Sequence, residues 1–481
     1  MKRFWIPSLL LLTLVSTGFS QKITSVPALP ALERGLDAIK IENAKADLHF
    51  LADDALGGRD TPSLEQQIAA RYLRARLMRL GFEKGFKDTF IHPYQLPQWG
   101  MNAVETHMTL HVKGGDFQWA WGKDFFYGTG SRSDRDIKQA SVVYLGPSSK
   151  ANKSKAKVEG CWVVVEGSRR PSRKTRTDLK SRGAHGIILI PEKGEGEEIA
   201  EKQASLYKRQ LSPSWREGPE AGGFATIVLP LNTADALRRA IGKAKPGKKI
   251  SCKISERCSV WSGETTLENV IGIWPGSDSK LRNEVIIVSA HYDHVGKHED
   301  GRIYNGADDN GSGTTGLLAL CEGLAEYGPM KRTVMVMWVS AEEKGLWGSS
   351  AWTKNPWFPE GMGPVCNINI DMIGRNAGDK LNITPTKKHE EYSWLTKVAM
   401  QQSKFEGFPK LGNADDYYWR SDHASFRKNL GVPVIFLFAD VHEDYHKPTD
   451  TVDKINFDKI TRVSRLVLRV LDQIQEEKLS N

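Results

Sequence analysis

The sequence predicts an α/β fold with a largely parallel sheet in the C-terminal half of the chain. From Thr265 onward, apolar segments typical of buried strands alternate with helical segments, which is the pattern of strand–helix–strand units. Four apolar runs are each followed by histidines or carboxylates: residues 285–288, 334–339, 368–370 and 434–438. Open parallel sheets bind ligands at the carboxyl ends of their strands. We therefore expect the functional site at that edge.

The composition is that of an ordinary globular protein. The chain has 481 residues, of which 40% are hydrophobic and 26% charged, and this excludes collagen, coiled coil and wholesale disorder. No apolar run reaches the ~20 residues that a membrane-spanning helix needs, so no integral membrane segment is expected. Five cysteines are too few for a disulfide scaffold in a chain of this length.

The first twenty residues have the pattern of a signal peptide. Lys2 and Arg3 are followed by an apolar run over residues 6–15, and the small residues Gly18 and Ser20 suit a cleavage site. We expect cleavage after Ser20 and a secreted or periplasmic protein.

Residues 21–100 are predicted to be the N-terminal part of the domain that carries the functional site. Within them, apolar residues recur at steps of three and four over residues 64–80, which indicates an amphipathic helix. The residues of its apolar face are Ile68, Ala69, Tyr72, Leu73, Leu77 and Leu80. Ser63 before this stretch and Gly81 after it are typical helix-capping residues.

Residues 101–259 are predicted to form a separate, β-rich inserted domain, because short β-like runs alternate there with polar loops. Residues 135–260 contain 26 Lys and Arg against 13 Asp and Glu. This excess suits either docking to an acidic partner or a solvated face, and we favour the solvated face. No aromatic pattern for base recognition accompanies the charge, so no nucleic-acid partner is expected. Cys252 and Cys258 are close enough in sequence for a disulfide-closed hairpin, the alternative being two free thiols.

Five residues are candidate metal ligands: four of them follow the predicted strands, and one lies in a turn. Two imidazoles and three carboxylates suit first-row divalent metals, above all Zn²⁺. A single catalytic zinc needs only three protein ligands, so five fit better with two ions ~3.5–4 Å apart that share one carboxylate. The five candidates are His291, Asp309, Glu343, Asp371 and His446.

The turn and the glutamate pair indicate distinct roles. Asp309 lies in a glycine-rich turn, residues 306–313, that opens a helix, and it is the natural bridging ligand; the alternative is a helix cap. The neighbours Glu342 and Glu343 point in different directions, so one can bind metal while the other acts as general base. Asp293 can hold the second nitrogen of His291, and His294 is assigned a structural role.

These residues resemble the family-28 metallopeptidases, which include secreted bacterial leucyl aminopeptidases and, more remotely, glutamate carboxypeptidase II. The resemblance implies a three-layer, mostly parallel sheet with helices on both faces, of the zinc-exopeptidase type. It also implies two zinc ions bridged by Asp309 and a water: His291 and Asp371 complete one, Glu343 and His446 the other. Glu342 is then the proton acceptor, Asp293 the partner of His291, and Asp308 is not a ligand. The motifs that carry the resemblance are residues 289–294, 306–313, 340–345, 369–374 and 445–451.

Three further segments carry resemblances to known proteins. Residues 158–165 and 178–189 are similar to a protease-associated domain, which implies that this is the inserted domain, with residues 260–481 as the zinc peptidase domain. Residues 420–426 resemble a segment on the substrate side, with no definite role.

The expected function is that of an exported zinc exopeptidase acting on peptides, most simply an aminopeptidase. Three alternatives stay open: a carboxypeptidase or dipeptidase of the same family, a single-zinc glutaminyl cyclase, and a non-catalytic binding ectodomain. The complete ligand set favours hydrolysis over the last two.

Overall fold

A computed structural model describes residues 29–128, 132–167, 171–192, 207, 214 and 224–475. The predicted signal peptide lies outside these residues. Within the described ranges, no helix combines the length and the apolar character needed to cross a membrane.

The described part of the chain forms ten α-helices and nineteen strands. The helices are α1 (Ala31–Ala38), α2 (Ile41–Leu51), α3 (Leu64–Leu80), α4 (Arg173–Ser181), α5 (Leu231–Ile241), α6 (Gly313–Tyr327), α7 (Trp347–Lys354), α8 (Trp394–Gln402), α9 (His423–Leu430) and α10 (Phe457–Gln473). The strands are β1 (Glu83–Lys84), β2 (Ile91–Met101), β3 (His107–Val112), β4 (Gly115–Ala120), β5 (Phe126–Tyr127), β6 (Arg135–Pro147), β7 (Cys161–Glu166), β8 (Gly186–Ile190), β9 (Ala225–Val228), β10 (Lys248–Cys258), β11 (Val260–Trp274), β12 (Glu284–His291), β13 (Gly296–Lys297), β14 (Ile303–Tyr304), β15 (Thr333–Val339), β16 (Gly363–Asp371), β17 (Asn382–Thr384), β18 (Gly412–Asn413) and β19 (Val434–Phe438).

The larger sheet confirms the predicted α/β class. Its central strands run β15–β12–β16–β19 and are all parallel, and they contain the four apolar runs. β11 adds antiparallel to β15 on one side, and β17 adds antiparallel to β19 on the other. The carboxyl ends of the four central strands therefore meet at one edge.

Helices cover both faces of this sheet, as expected for three layers. On one face Val288 packs with Leu317 of α6 and Leu466 of α10 in the main core. On the other face the next residue back, Ile287, packs in a cluster that contains Phe426 of α9. Successive residues of a strand point to opposite faces, so a strand covered on both sides is apolar at every position.

Helix α3 begins and ends where the sequence predicts. The Ser63 hydroxyl accepts a hydrogen bond from the backbone N–H three residues later, at 3.0 Å, and Gly81 ends the helix in the left-handed region with φ 81°. Leu73 and Leu77 are buried on its inner face, whereas Ile68, also expected there, is 41% exposed.

The second sheet lies within residues 101–259 and is β-rich, as expected. Its strand order is β4–β3–β10–β6–β7–β8–β9–β5, with β6 to β9 parallel. In the basic stretch, Lys150, Lys153, Lys155 and Lys157 are exposed, which fits a solvated face. The division at residues 101 and 259 and the protease-associated identity stay predictions.

The predicted Cys252–Cys258 bridge is wrong. All five cysteines are buried free thiols. Both residues lie on one continuous strand, β10, rather than on two arms of a hairpin. A strand rises ~3.3 Å per residue, so six residues separate them by far more than the ~7 Å that a disulfide allows.

The second sheet should be removable without loss of the metal site. Met101 and Val260 are directly paired at one end of the β2–β11 ladder, and paired Cα atoms are ~4.5–5.5 Å apart. Replacing residues 102–259 with Asn-Gly, a two-residue hairpin turn, should preserve folding and zinc binding. Thermal unfolding and zinc content of the shortened chain test this. A shortened chain that folds but binds no zinc would show that the second sheet is part of the site.

Candidate metal centre

The sheet delivers the candidate ligands to one edge. His291 and Asp371 are the last residues of the neighbouring parallel strands β12 and β16. Glu343 lies in the turn after β15, and His446 in the loop after β19. Asp309 lies in the irregular turn that precedes α6. All five ligands predicted from the sequence are thus brought together.

The turn around Asp309 passes very close to neighbouring groups. Gly306 has φ 59°, and a Cβ there would lie 2.3 Å from the Asp309 carbonyl oxygen and 2.4 Å from the His294 ring. Only glycine fits this position. The Asp309–Asn310 peptide bond is cis.

The donor atoms form two groups that share Asp309. In the first, His291 Nε2 lies 3.3 Å from Asp371 Oδ1 and 3.6 Å from Asp309 Oδ1. In the second, His446 Nε2 lies 3.0 Å from Asp309 Oδ2 and 3.2 Å from Glu343 Oε2. Each oxygen of the shared carboxylate therefore faces one group, which is the arrangement of a bridging ligand.

These donor atoms fit a bound cation. Several are buried without a hydrogen-bond partner among the described residues: Nε2 of His291, Nε2 of His446, Oδ2 of Asp309 and Oδ1 of Asp371. An unsatisfied buried polar atom costs ~1–3 kcal/mol, so the convergence of several indicates that a ligand completes them. Imidazole and carboxylate donors suit zinc.

Asp293 supports both neighbouring strand ends. Its carboxylate accepts the backbone N–H of Glu342 at 3.1 Å and that of Glu343 at 3.4 Å. The hydrogen-bond partner of His291 Nδ1 is the main-chain carbonyl oxygen of Asp293 at 3.2 Å, and the carboxylate lies 3.6 Å from the same nitrogen. It is fully buried. Asp293 therefore holds the glutamate turn as well as the histidine, a contact that the sequence did not reveal.

The two adjacent glutamates have different environments. Burial raises the pKa of Glu343, but the nearby imidazoles of His294 and His446 outweigh burial and hold that pKa well below its usual value. Burial raises the pKa of Glu342 well above its usual value, and the nearby Asp422 carboxylate adds to the rise. Glu342 also borders the open cleft beside the site. A permanent carboxylate suits a ligand, and a carboxylate that readily takes a proton suits a base.

Three residues near the site were assigned no part in it from the sequence. His294, expected to be structural, has Nδ1 2.9 Å from Glu343 Oε1 and belongs to the second donor group. Ser421 donates a hydrogen bond to Asp371 Oδ2 at 2.8 Å. Asp450 accepts the backbone N–H groups of Asp308 and Asp309 at 3.0–3.2 Å. His294 lies three residues after a candidate ligand, and Ser421 and Asp450 lie in the segments 420–426 and 445–451 that resemble the metallopeptidase family, but no role was assigned to either of them.

A cleft of about 40 Å³ opens beside Glu342 and the shared Asp309. Tyr445 borders it, and burial raises the pKa of its phenol, with Asp309 and Glu343 adding to the rise, so the hydroxyl stays protonated and able to donate. Arg420 lies at the same cleft. The remaining apolar and aromatic residues that line the cleft are Met372, Tyr417, Phe436, Phe438 and Val441.

Comparison with known proteins gives partial matches to named aminopeptidases. Aminopeptidase YwaD of Bacillus subtilis (strain 168) is 26% identical over 222 residues, covering 44% of this chain and 46% of that protein. Leucine aminopeptidase 1 of Arthroderma otae is 28% identical over 224 residues, 43% of this chain and 57% of that protein. The chain spans about half the length of the curated relatives it matches.

The fold is shared with solved structures along nearly the whole chain. The aminopeptidase from Aneurinibacillus sp. strain AM-1 has a TM-score of 0.52 at 21% identity, covering 92% of this chain and 95% of that one. BSAP, a zinc aminopeptidase from Bacillus subtilis, has a TM-score of 0.52 at 18% identity, covering 92% and 97%. Residues 269–471, which contain every candidate ligand, match the model of peptidase family M28. The similarity to peptidase family M28 therefore concerns residues 269–471, which are less than half of the chain.

Proposed function

We propose that this protein is a zinc-dependent exopeptidase that removes N-terminal residues from peptides. The observation that carries the proposal is the pair of donor groups sharing Asp309, with Glu342 bordering the same open cleft as Asp309 and Asp371. The aminopeptidase names of the relatives agree with it. We further propose export through a signal peptide at residues 1–20 and a protease-associated identity for residues 101–259.

In this proposal His291 and Asp371 would hold one zinc, Glu343 and His446 would hold the other, and both ions would share Asp309. When bound, such a pair polarises the scissile carbonyl and lowers the pKa of a water molecule to ~7. His294 then orients Glu343 through the 2.9 Å contact, and Asp293 orients His291. Partners of this kind fix the direction of a ligand and are worth ~10–100-fold in metal affinity.

Glu342 acts as the general base and then the general acid. It faces the cleft, its pKa is raised by burial, and it is fixed by the hydrogen bond from its N–H to Asp293. It takes a proton from the attacking water and later gives that proton to the leaving amine. The Tyr445 hydroxyl borders the cleft and can donate to the carbonyl oxygen as negative charge develops there.

The cleft favours recognition of a free amino terminus. The carboxylates of Glu342, Asp309 and Asp371 border it and attract the ammonium group of a substrate, while its apolar wall suits an apolar N-terminal side chain. Arg420 supports the one alternative with an observation of its own, because a cation at the cleft could hold the carboxylate of a carboxypeptidase or dipeptidase substrate. No candidate ligand is missing, which argues against a single-zinc cyclase or a binding ectodomain.

Asp309→Asn should remove most of the zinc. The substitution weakens the ligand that both ions share, so we expect metal content to fall from about two ions per chain, as in a two-metal site, to below one. Elemental analysis after equilibrium dialysis measures this. Asp300→Asn, at an exposed carboxylate away from the site, is the matched control and should keep full content. Unchanged zinc in Asp309→Asn would contradict the bridge.

Glu342→Gln should abolish turnover while keeping the metal. The loss of general acid–base catalysis is expected to cost ~10²–10⁴-fold in kcat, with zinc content unchanged. Glu343→Gln should instead weaken zinc binding. The two assignments are reversed if Glu342→Gln empties the site and Glu343→Gln does not.

Peptides that differ only at their ends should decide between the two exopeptidase types. A short peptide with a free amino terminus should be cleaved, and its N-acetylated form should not. Arg420→Met should leave that cleavage largely intact. Rapid cleavage of the N-blocked peptide from its C-terminus, lost in Arg420→Met, would establish the carboxypeptidase alternative instead.

A further inference from the structure

Arg59 is a buried cation directly beside the metal centre. In the sequence it lies far before residues 269–471, which match the peptidase family. It stands at the end of a short helical turn, Asp54–Arg59, and only 1% of its surface is exposed. Among the described residues, no carboxylate lies within salt-bridge distance of its guanidinium. A buried charge without a direct partner is costly, so this position requires an explanation.

The guanidinium is bound entirely by main-chain oxygens. Nε donates to the Tyr292 carbonyl at 2.9 Å. Nη1 donates to the carbonyls of Asn305, at 2.8 Å, and Leu51. Nη2 donates to the Gly306 carbonyl at 3.0 Å. One arm thus fixes the residue after His291, and the other two arms fix the turn that leads to Asp309.

The chain around Arg59 is shaped for this contact. Gly58 has φ 72°, and a Cβ there would lie 2.2 Å from the Tyr304 carbonyl oxygen and 2.8 Å from that of Gly296, so no side chain fits. Arg59 itself has φ 51°, and its carbonyl accepts the N–H of His294 at 3.4 Å. The segment is therefore pressed against the strands that flank the site.

The charge of Arg59 is balanced by the site carboxylates at longer range. Burial lowers the pKa of Arg59 to about 10, and Asp293, Asp450 and Asp309 act in the opposite direction. The guanidinium therefore stays charged at neutral pH. A positive charge behind several buried carboxylates reduces their mutual repulsion before any metal arrives.

We propose that Arg59 is a positioning residue that clamps the His291 and Asp309 segments together and so pre-forms the zinc site. This inference rests on the proposed zinc function, and it assigns a part of the site to the N-terminal segment. The planar guanidinium of Arg59 has five N–H donors in a fixed arrangement, which matches the four carbonyls that it binds. Lysine has a single ammonium group with three donors and cannot reach all four.

The test compares Arg59→Lys and Arg59→Met with the same changes at Arg332. Arg332 is also a buried arginine, but it binds Glu284 and the Ile474 carbonyl and stands just before β15, at the opposite edge of the sheet. Zinc affinity is measured by chelator competition on the metal-free proteins, with thermal unfolding alongside. Both Arg59 variants should lose ~10–100-fold in zinc affinity, the usual effect of removing a residue that orients ligands. The Arg332 variants should lose stability only.

The other outcomes would contradict either the role of Arg59 or the proposed zinc function. Wild-type zinc affinity in both Arg59 variants would overturn the inference, and an equal loss in the Arg332 variants would reduce it to general stability. Wild-type affinity in Arg59→Lys alone would show that charge suffices and that the clamp is wrong. If neither Arg59 variant folds while the Arg332 variants do, the role is general folding and the inference fails. If the unaltered protein binds no zinc, the proposed function itself fails.

Discussion

The mutual repulsion of buried carboxylates is the constraint on which the rest of the structure depends. Two unit charges 4 Å apart interact by ~4 kcal/mol at the effective dielectric of a protein surface, and here many like charges share one sheet edge. The fold offsets this with main-chain donors: Asp293 accepts two N–H groups, and Asp450 accepts those of Asp308 and Asp309. Hydrogen bonds to charged groups contribute ~1.5–3 kcal/mol each. The remainder falls to the cations, which are Arg59 and, in the proposed function, the metal.

This arrangement requires unusual backbone at the positions that carry the ligands. Ala341 before the glutamate pair, Met372 after Asp371 and His446 itself all have positive φ without being glycine, at 57°, 50° and 52°. Such residues cost ~1–3 kcal/mol and persist where surrounding contacts determine them. A strand that has just ended must turn sharply to aim its last side chain at a shared point. Backbone strain is therefore placed next to the ligands rather than distributed through the sheet.

Sequence patterns sufficed for the parts of the fold and site whose signals are local. Continuous apolar runs predicted four parallel strands, and the residues that follow them predicted the candidate ligands, because strand ends in a parallel sheet meet. Arg59 and Asp450 escaped notice since they act through main-chain groups, Arg59 on a carbonyl 233 residues away, and no residue type marks such contacts. Cys252 and Cys258 misled because spacing alone does not distinguish one strand from a hairpin. Ile68 was wrongly expected to be buried because the helical period does not decide whether a residue at the edge of the apolar face points to the core or to solvent.

The two donor groups are held in different ways, and this follows from where their residues lie in the fold. His291 and Asp371 end adjacent paired strands, so the ladder between β12 and β16 sets their separation directly. His446 lies on a loop, and its side chain is 37% exposed. That loop is fastened by ion pairs from Asp444 to Arg375 and Lys454, and by Asp450, which binds the Asp309 turn. Because Asp450 lies four residues after His446 and holds the backbone of the bridging ligand, the loop and the bridge cannot move independently. Asp450 therefore both orders the loop that carries His446 and fixes Asp309, the residue shared by the two donor groups.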